Sequence, residues 1–185
     1  MSFASLIFFV FLPVIFCVHW LVPRRAYQNT VLLVASYFFY GWWDWRFCFL
    51  ILASSLIDYV AGWWIGIEHR AHRKTRILVA ALSANLLILG FFKYFNFFAD
   101  SLAIALSLLG LDVPTSTLSI ILPVGISFYT FQTMSYTIDI YRGHFVPQRS
   151  LLDYLTFVSF FPHLVAGPIM RAAELLPQFH KARTF

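Results

Sequence analysis

Long apolar runs, separated by short polar segments, fill most of this chain of 185 residues. An α-helix rises about 1.5 Å per residue, so a run of about 20 apolar residues can cross the hydrocarbon core of a bilayer. The pattern therefore predicts an all-α, polytopic membrane helical bundle with five spans and no separate soluble domain. A less apolar stretch, residues 100–117, predicts an interfacial helix and a loop. The predicted spans are residues 5–22, 29–43, 47–67, 77–98 and 120–141.

The sixth apolar run, residues 151–170, differs from the others because it contains Pro162 and Pro168. Proline lacks a backbone donor and disfavours helix at the residue before it, so only about 16 Å of regular helix fits before the first break. Irregular backbone at membrane depth is tolerated only where protein or a water-filled cavity surrounds it. We expect a re-entrant segment that enters the membrane and turns back, with a proline-kinked span as the alternative.

Composition and charge agree with a membrane protein, because 61% of the residues are hydrophobic and only 11% are charged. The net charge of +5 comes largely from bases in short loops, where orientation in the bilayer explains them without a nucleic-acid partner. These loop bases alternate in a way that predicts an N-terminus outside the cell, and a full crossing by residues 151–170 would break the alternation. The bases are Arg24, Arg25, Arg70, Arg73, Lys74, Arg76, Arg142 and Arg149, followed by Arg171, Lys181 and Arg183 in the tail.

Asp58 is an ionisable residue in the middle of the third predicted span. A charge at the centre of a membrane helix costs about 2.5 to 3.5 kcal/mol on insertion, so it needs a partner or a cavity. Ser54, Ser55 and Gly62 lie three or four residues away and therefore share its helical face. The sequence leaves two interpretations open, a relay carboxylate in a cavity or a hydrogen bond between packed helices.

The fifth predicted span carries a polar stripe, because five of its residues repeat at spacings of four and three. Such a stripe can be a hydrogen-bonded seam between helices or the wall of an aqueous chamber. At the interface, the last member can also pair with Arg142. The stripe consists of Gly125, Tyr129, Gln132, Tyr136 and Asp139.

The remaining candidates for chemistry have ordinary explanations. His163 lies beside a proline in the broken segment, but no serine, cysteine or carboxylate at local spacing completes a catalytic pair, so we interpret it as a packed histidine. Lys93 and His19 lie near the ends of spans, where a polar tip reaches the interface. Cys17 and Cys48 lie inside or at the edge of apolar runs without metal-binding spacing, so neither a metal site nor a disulfide is predicted.

Four stretches of the sequence carry a family resemblance, and together they cover almost the whole chain. In order and spacing they resemble the N-terminal part of the membrane-bound O-acyltransferase (MBOAT) family, in a bacterial branch that O-acetylates polysaccharides such as alginate. A small departure is His163, at a position where glutamine is common in the family. The four stretches are SYFFYGWWDWRF, LGFFKYFNFF, LPVGISFYTFQTMSYTIDIYRG and FVSFFPHLVAGPIMRAAELLPQF.

The resemblance implies part of a larger, funnel-shaped bundle in a thinned region of the bacterial inner membrane. It implies transfer of an acetyl group from a donor such as acetyl-CoA to an extracytoplasmic polysaccharide, with periplasmic acetylation proteins as partners and no bound cofactor. The family's essential histidine lies in a later motif, so no catalytic residue is assigned here and this chain alone is expected to be inactive. The residues expected to line the chamber are Tyr129, Gln132, Tyr136, Asp139, Pro162, His163, Gly167, Pro168 and Arg171.

Other functions remain open from sequence. Within the family, the alternative is D-alanyl transfer to teichoic acid. Outside it, the chain could be a transporter, in which Asp58, Asp139 and Lys93 would be coupling charges, or an assembly subunit without catalysis.

Overall fold

The computed structural model describes residues 6–108, 120–167 and 170–180, and in these residues it contains eight α-helices and no strand. The all-α prediction is confirmed. The helices are α1 (Leu6–Leu21), α2 (Arg25–Gly41), α3 (Arg46–Ile67), α4 (Ala71–Leu108), α5 (Ile126–Tyr141), α6 (Leu151–Ser159), α7 (Phe161–Ala166) and α8 (Ala172–His180).

The first three helices lie close to the predicted spans, but α4 corrects two boundaries. It is one continuous helix of 38 residues, which takes in the end of the basic loop at 71–76 and the first part of the segment assigned to an interfacial helix. No proline or left-handed residue interrupts residues 71–108, so the backbone has no reason to break there. The remainder of the predicted interfacial segment, residues 109–117, lies outside the described residues.

The fifth predicted span begins later than expected. Residues 120–125 are not helical, and α5 begins at Ile126 after Gly125, whose φ of 73° lies in the left-handed region that favours glycine. Asn96 of α4 fixes this entry segment with two hydrogen bonds to the backbone of Ile120, at 2.8 and 2.9 Å. The helical part of the span is therefore shorter than the apolar run.

Of the described helices, α3 and α4 are long and apolar enough to cross a membrane, and α1 is a shorter apolar helix. Five full spans are thus not established by length. Large apolar side chains nevertheless remain exposed along α1 and α4, among them Leu6, Phe9, Leu87 and Phe98. Exposed apolar faces of this extent are typical of a protein in a membrane rather than in water.

Close packing of α3 on α5 forms the centre of the bundle. Gly62 and Gly66 of α3 are spaced as in a GxxxG motif, which lets helices approach closely. A Cβ atom on Gly62 would lie 2.7 Å from the ring of Tyr136, and one on Gly66 would lie 2.3 Å from Pro147. The two glycines therefore leave the space in which α5 and the loop that follows it pack against α3.

The segment from α6 to α8 turns back on itself. Helix α6 ends at Ser159, and Phe160 breaks the helix before Pro162 enters the first turn of α7, where its missing donor costs nothing. The amide of Asn29 then donates to Asp153 at the start of α6 and to the carbonyl of Phe179 at the end of α8. Both ends of this broken hairpin, residues 151–167 and 170–180, therefore lie at the same end of α2.

Candidate functional site

The polar stripe of α5 is buried between helices. Tyr129, Gln132 and Tyr136 have no exposed surface, and Asp139 retains 8%. Gln132 donates from Nε2 to the backbone carbonyl of Phe157 in α6, at 3.3 Å. The stripe therefore faces the broken hairpin and forms a seam with it.

Tyr136 makes several contacts in the part of this seam that lies towards the C-terminal end of α5. Its hydroxyl accepts a hydrogen bond from the backbone N–H of Gln148 at 2.9 Å, which holds the loop that leads into α6. Its ring packs on Tyr154 of α6 with centroids 4.6 Å apart, and on Phe145 at 6.0 Å. One side chain thus joins α5, the connecting loop and α6.

Two buried polar groups in the seam form no hydrogen bond with the described protein atoms. The hydroxyl of Tyr154 and the Oε1 atom of Gln132 have no hydrogen-bond partner among them, although both side chains are fully buried. Buried polar groups are nearly always paired, because an unpaired one costs about 1 to 3 kcal/mol. These two groups therefore make the seam polar in a way that a simple packing interface is not.

Asp139 lies at the other end of α5 and takes a different role from the rest of the stripe. Its backbone carbonyl accepts from the N–H groups of His144 and Phe145, at 2.9 and 3.3 Å, and so closes the turn after the helix. The ion pair with Arg142 that the spacing allowed is not among those formed by the described residues.

The predicted residues of the hairpin lie at its bend. His163 is buried and packs edge-on against Phe128, with ring centroids 5.0 Å apart, which agrees with a packed histidine. A Cβ on Gly167 would lie 2.2 Å from the ring of His163, so glycine is needed at that position. Pro162 starts α7, and Arg171 is exposed just before α8. Pro168 lies outside the described residues.

The structure brings only part of the predicted set together. Helix α7 meets the start of α5, where the carbonyl oxygen of Leu164 lies 3.2 Å from the position of a Cβ on Gly125. His163 of α7 therefore lies near the N-terminal end of α5, which is also the end that carries Tyr129. Asp139 is ten residues further along this helix, about 15 Å away, so it does not share a chamber wall with His163.

A second buried cluster, the Asp58 network, was only half recognised from sequence. Thr137 of α5 donates to Oδ1 of Asp58 at 2.6 Å, and Asn85 of α4 donates to Oδ2 at 2.7 Å. Ser54 in turn donates to Asn85 at 2.6 Å and lies 3.5 Å from Thr133. All five side chains are buried. Asn85 in the middle of an apolar run, and two threonines four residues apart on α5, are the signals that could have revealed its other members.

This network joins α3, α4 and α5 by neutral donors around one carboxylate. No Lys, Arg or His is ion-paired with Asp58 in the described residues. The geometry agrees with the helix-packing interpretation, and it leaves a relay role without support. The described residues also contain no group of three or more His, Cys, Asp or Glu side chains that could hold a metal.

Comparison with known proteins gives matches that run along the whole chain. It is 42% identical over 187 residues to a protein of Azotobacter vinelandii named "Probable alginate O-acetylase AlgI", a match that covers 100% of this chain and 37% of the relative. The protein of the same name from Pseudomonas aeruginosa is also 42% identical, with 100% and 36% covered. A peptidoglycan O-acetyltransferase of Helicobacter pylori is 32% identical over 202 residues, with 94% and 37% covered.

A membrane-type helical bundle, together with these matches, defines the class of the chain as part of an O-acyltransferase family protein. The chain belongs with the alginate O-acetylases and their relatives, and the resemblance to the membrane-bound O-acyltransferase family is confirmed. It spans little more than a third of the length of the curated relatives that it matches. No family model matches the chain, and no solved structure matches it significantly.

Proposed function

We propose that the chain forms part of a membrane O-acetyltransferase that transfers acetyl groups to an extracytoplasmic polysaccharide such as alginate. The observation that carries this proposal is the 42% identity to alginate O-acetylases along the entire chain. Neither a transporter nor D-alanyl transfer has comparable support, since none of the three relatives above is named for either activity.

The contribution of this chain is to build and position one wall of the reaction chamber. The buried seam between α5 and the broken hairpin supplies polar groups at Gln132 and Tyr154. Transfer of an acetyl group to a hydroxyl needs a base to activate the acceptor. We therefore expect that base, and binding of a donor such as acetyl-CoA, to depend on parts of the protein outside this chain.

In the membrane, α1 to α5 each cross once and the broken hairpin re-enters from the inner face. Helices α1, α2 and α5 contain 16 or 17 residues, about 24 to 26 Å, which is shorter than a typical hydrocarbon core of about 30 Å. Short spans are accommodated by local thinning of the bilayer. The protein lies in the bacterial inner membrane with its N-terminus outside, where periplasmic partners complete the transfer to the polymer.

The function is tested by expressing the intact protein in a host that makes the polysaccharide but lacks its own acetylase. The purified polymer should carry acetyl esters detectable by NMR. A version truncated after Phe185 should give none, because we expect the base to lie in a later motif. Acetylation by the truncated version would overturn the proposed division of roles, and its absence with the intact protein would overturn the function.

The topology is tested by cysteine labelling in sealed vesicles. Cys17 and Cys48 are first replaced by serine, and a single cysteine is introduced at Gln178, which is exposed near the end of α8. An impermeant maleimide should label it only from the inner face. Labelling from the outer face would contradict the re-entrant arrangement.

The match to a peptidoglycan O-acetyltransferase favours a second acceptor. Peptidoglycan is also an extracytoplasmic glycan with free hydroxyl groups, so the transfer chemistry would be unchanged. Measuring ester-linked acetate in both polymers from the same cells separates the two acceptors.

A further inference from the structure

Asn29 connects the two ends of the broken hairpin to α2. This side chain lies one turn into α2 and has no exposed surface. Its Nδ2 atom donates to Oδ1 of Asp153 at 2.7 Å and to the carbonyl oxygen of Phe179 at 3.1 Å. Thr156 adds a third link by donating to the backbone carbonyl of Asn29 at 3.2 Å.

The positions of the two acceptors in their helices explain why both accept a hydrogen bond from Asn29. Asp153 is in the first turn of α6, where a carboxylate is stabilised by the positive end of the helix, and Ser150 caps that turn. Phe179 is in the last turn of α8, where backbone carbonyls lack a partner within the helix. One amide group therefore closes the beginning of one helix and the end of another.

Few other side chains could make both bonds. A carboxamide NH₂ carries two donor hydrogens on one short arm, whereas a carboxylate of the same shape carries none. Arg25 also reaches Asp153, at 3.5 Å, and its side chain is 40% exposed, whereas that of Asp153 is 2% exposed. Arg25 therefore adds a partly exposed ion pair to the link that Asn29 makes at the start of α6.

We propose that Asn29 is a positioning residue that holds the broken hairpin closed against α2 and thereby sets the geometry of the α5–hairpin seam. The closing role stands on the geometry alone. Its effect on acetyl transfer rests on the proposed function, so the two are measured separately.

The closing role is tested by hydrogen–deuterium exchange of the intact protein in lipid nanodiscs. Peptides from α6 and α8 report on the two ends of the hairpin, and peptides from α3 serve as an internal reference. In Asn29→Ala, exchange of both hairpin peptides should rise about tenfold, since two buried hydrogen bonds are lost. Thr30→Ala is the matched control, because Thr30 is exposed on the same helix and bonds only to the backbone of Ala26.

Two further variants separate the amide from the charge. Asp153→Asn keeps an oxygen that accepts from Asn29 but loses the ion pair with Arg25, so both peptides should exchange more slowly than in Asn29→Ala. The exchange of partners, Asn29→Asp with Asp153→Asn, restores a donor and an acceptor between α2 and α6 but removes the hydrogen bond from residue 29 to the carbonyl of Phe179. The α6 peptide should then regain protection while the α8 peptide remains fast, a split that general destabilisation would not produce.

Unchanged exchange in Asn29→Ala would overturn the proposal, as would equal damage from Asp153→Asn. Acetylation of the polymer by the same variants is then compared. If Asn29→Ala opens the hairpin but acetylation persists at the wild-type level, the positioning role is wrong while the closing role holds. If wild-type protein gives no acetylation, the proposed function fails and the exchange results still stand.

Discussion

The α3–α4–α5 core and the broken hairpin both bury polar groups, but they satisfy them differently. In the core, three continuous helices satisfy their own backbones, and the side chains of the Asp58 network bond to one another. In the hairpin the backbone is interrupted at Phe160, and much of its fixation comes from side chains of other helices, such as Asn29 and Ser36. Unpaired groups remain in its seam with α5 but not in the Asp58 network.

This difference indicates which region is rigid and which can change its conformation more easily. A network whose members are all paired joins its helices tightly and specifies one arrangement. A short helical hairpin fixed largely through other helices opens at lower free energy than the core. We therefore expect the broken hairpin to open before the α3–α4–α5 core does.

The largest loss of stability is expected from a substitution at Gly62, where α3 packs closely against α5. Gly62→Leu forces a side chain against Tyr136 and should destabilise the bundle by about 3 kcal/mol. Gly90→Leu is the matched control, because nothing lies within 4 Å of a Cβ at that position of α4. Thermal unfolding in detergent measures both. Equal losses would show that α3 and α5 are not packed as described.

The next effect separates the two interpretations of Asp58. Asp58→Ala removes the carboxylate that accepts from Asn85 and Thr137, leaves them only longer contacts to backbone carbonyls, and should cost about 2 kcal/mol in unfolding free energy. Asp58→Asn should cost less, because Asn85 can turn its amide and donate to Ser54 instead. If Asp58→Asn is stable but abolishes acetyl transfer by the intact protein, the relay interpretation holds and the packing interpretation does not.

A smaller effect probes the junction between core and hairpin. Gly125→Ala and Gly143→Ala both place a side chain at a φ near 75°, which costs about 1 to 2 kcal/mol. Only Gly125 also has the carbonyl of Leu164 within 3.2 Å, whereas the space around Gly143 is empty. The difference between their unfolding temperatures therefore measures the contact of α7 with α5. No difference would mean that α7 does not pack there.

The smallest effect concerns the turn between α2 and α3, outside both regions. Hydrogen bonds from Arg46 lower the pKa of Asp44, so the folded carboxylate stays charged at more acidic pH than the unfolded one. Its stabilising contribution is present above the unfolded pKa and is lost as the pH falls through the lower folded pKa. Asp44→Asn should therefore slightly flatten the acid end of the profile of unfolding temperature against pH.

Much of the architecture was readable from the hydrophobic pattern. Apolar length places helices wherever a membrane requires internally bonded backbone, so α1, α2 and α3 were close to their predicted positions. Pro162 marked the interruption for a local reason, the loss of a donor. The length of α4 and the late start of α5 were missed, because hydropathy does not report where the backbone changes conformation.

The sequence by itself determined that this is an all-helical membrane-type chain of the O-acyltransferase family, with a break near residue 160 and a polar face on α5. Only the tertiary structure decided that the stripe meets the hairpin, that Asn85 and Thr137 complete the surroundings of Asp58, and that Asn29 binds both ends of the hairpin. The reason is physical. Periodicity within one helix fixes which residues share a face, but the partner of that face lies as many as 150 residues away and is selected by packing.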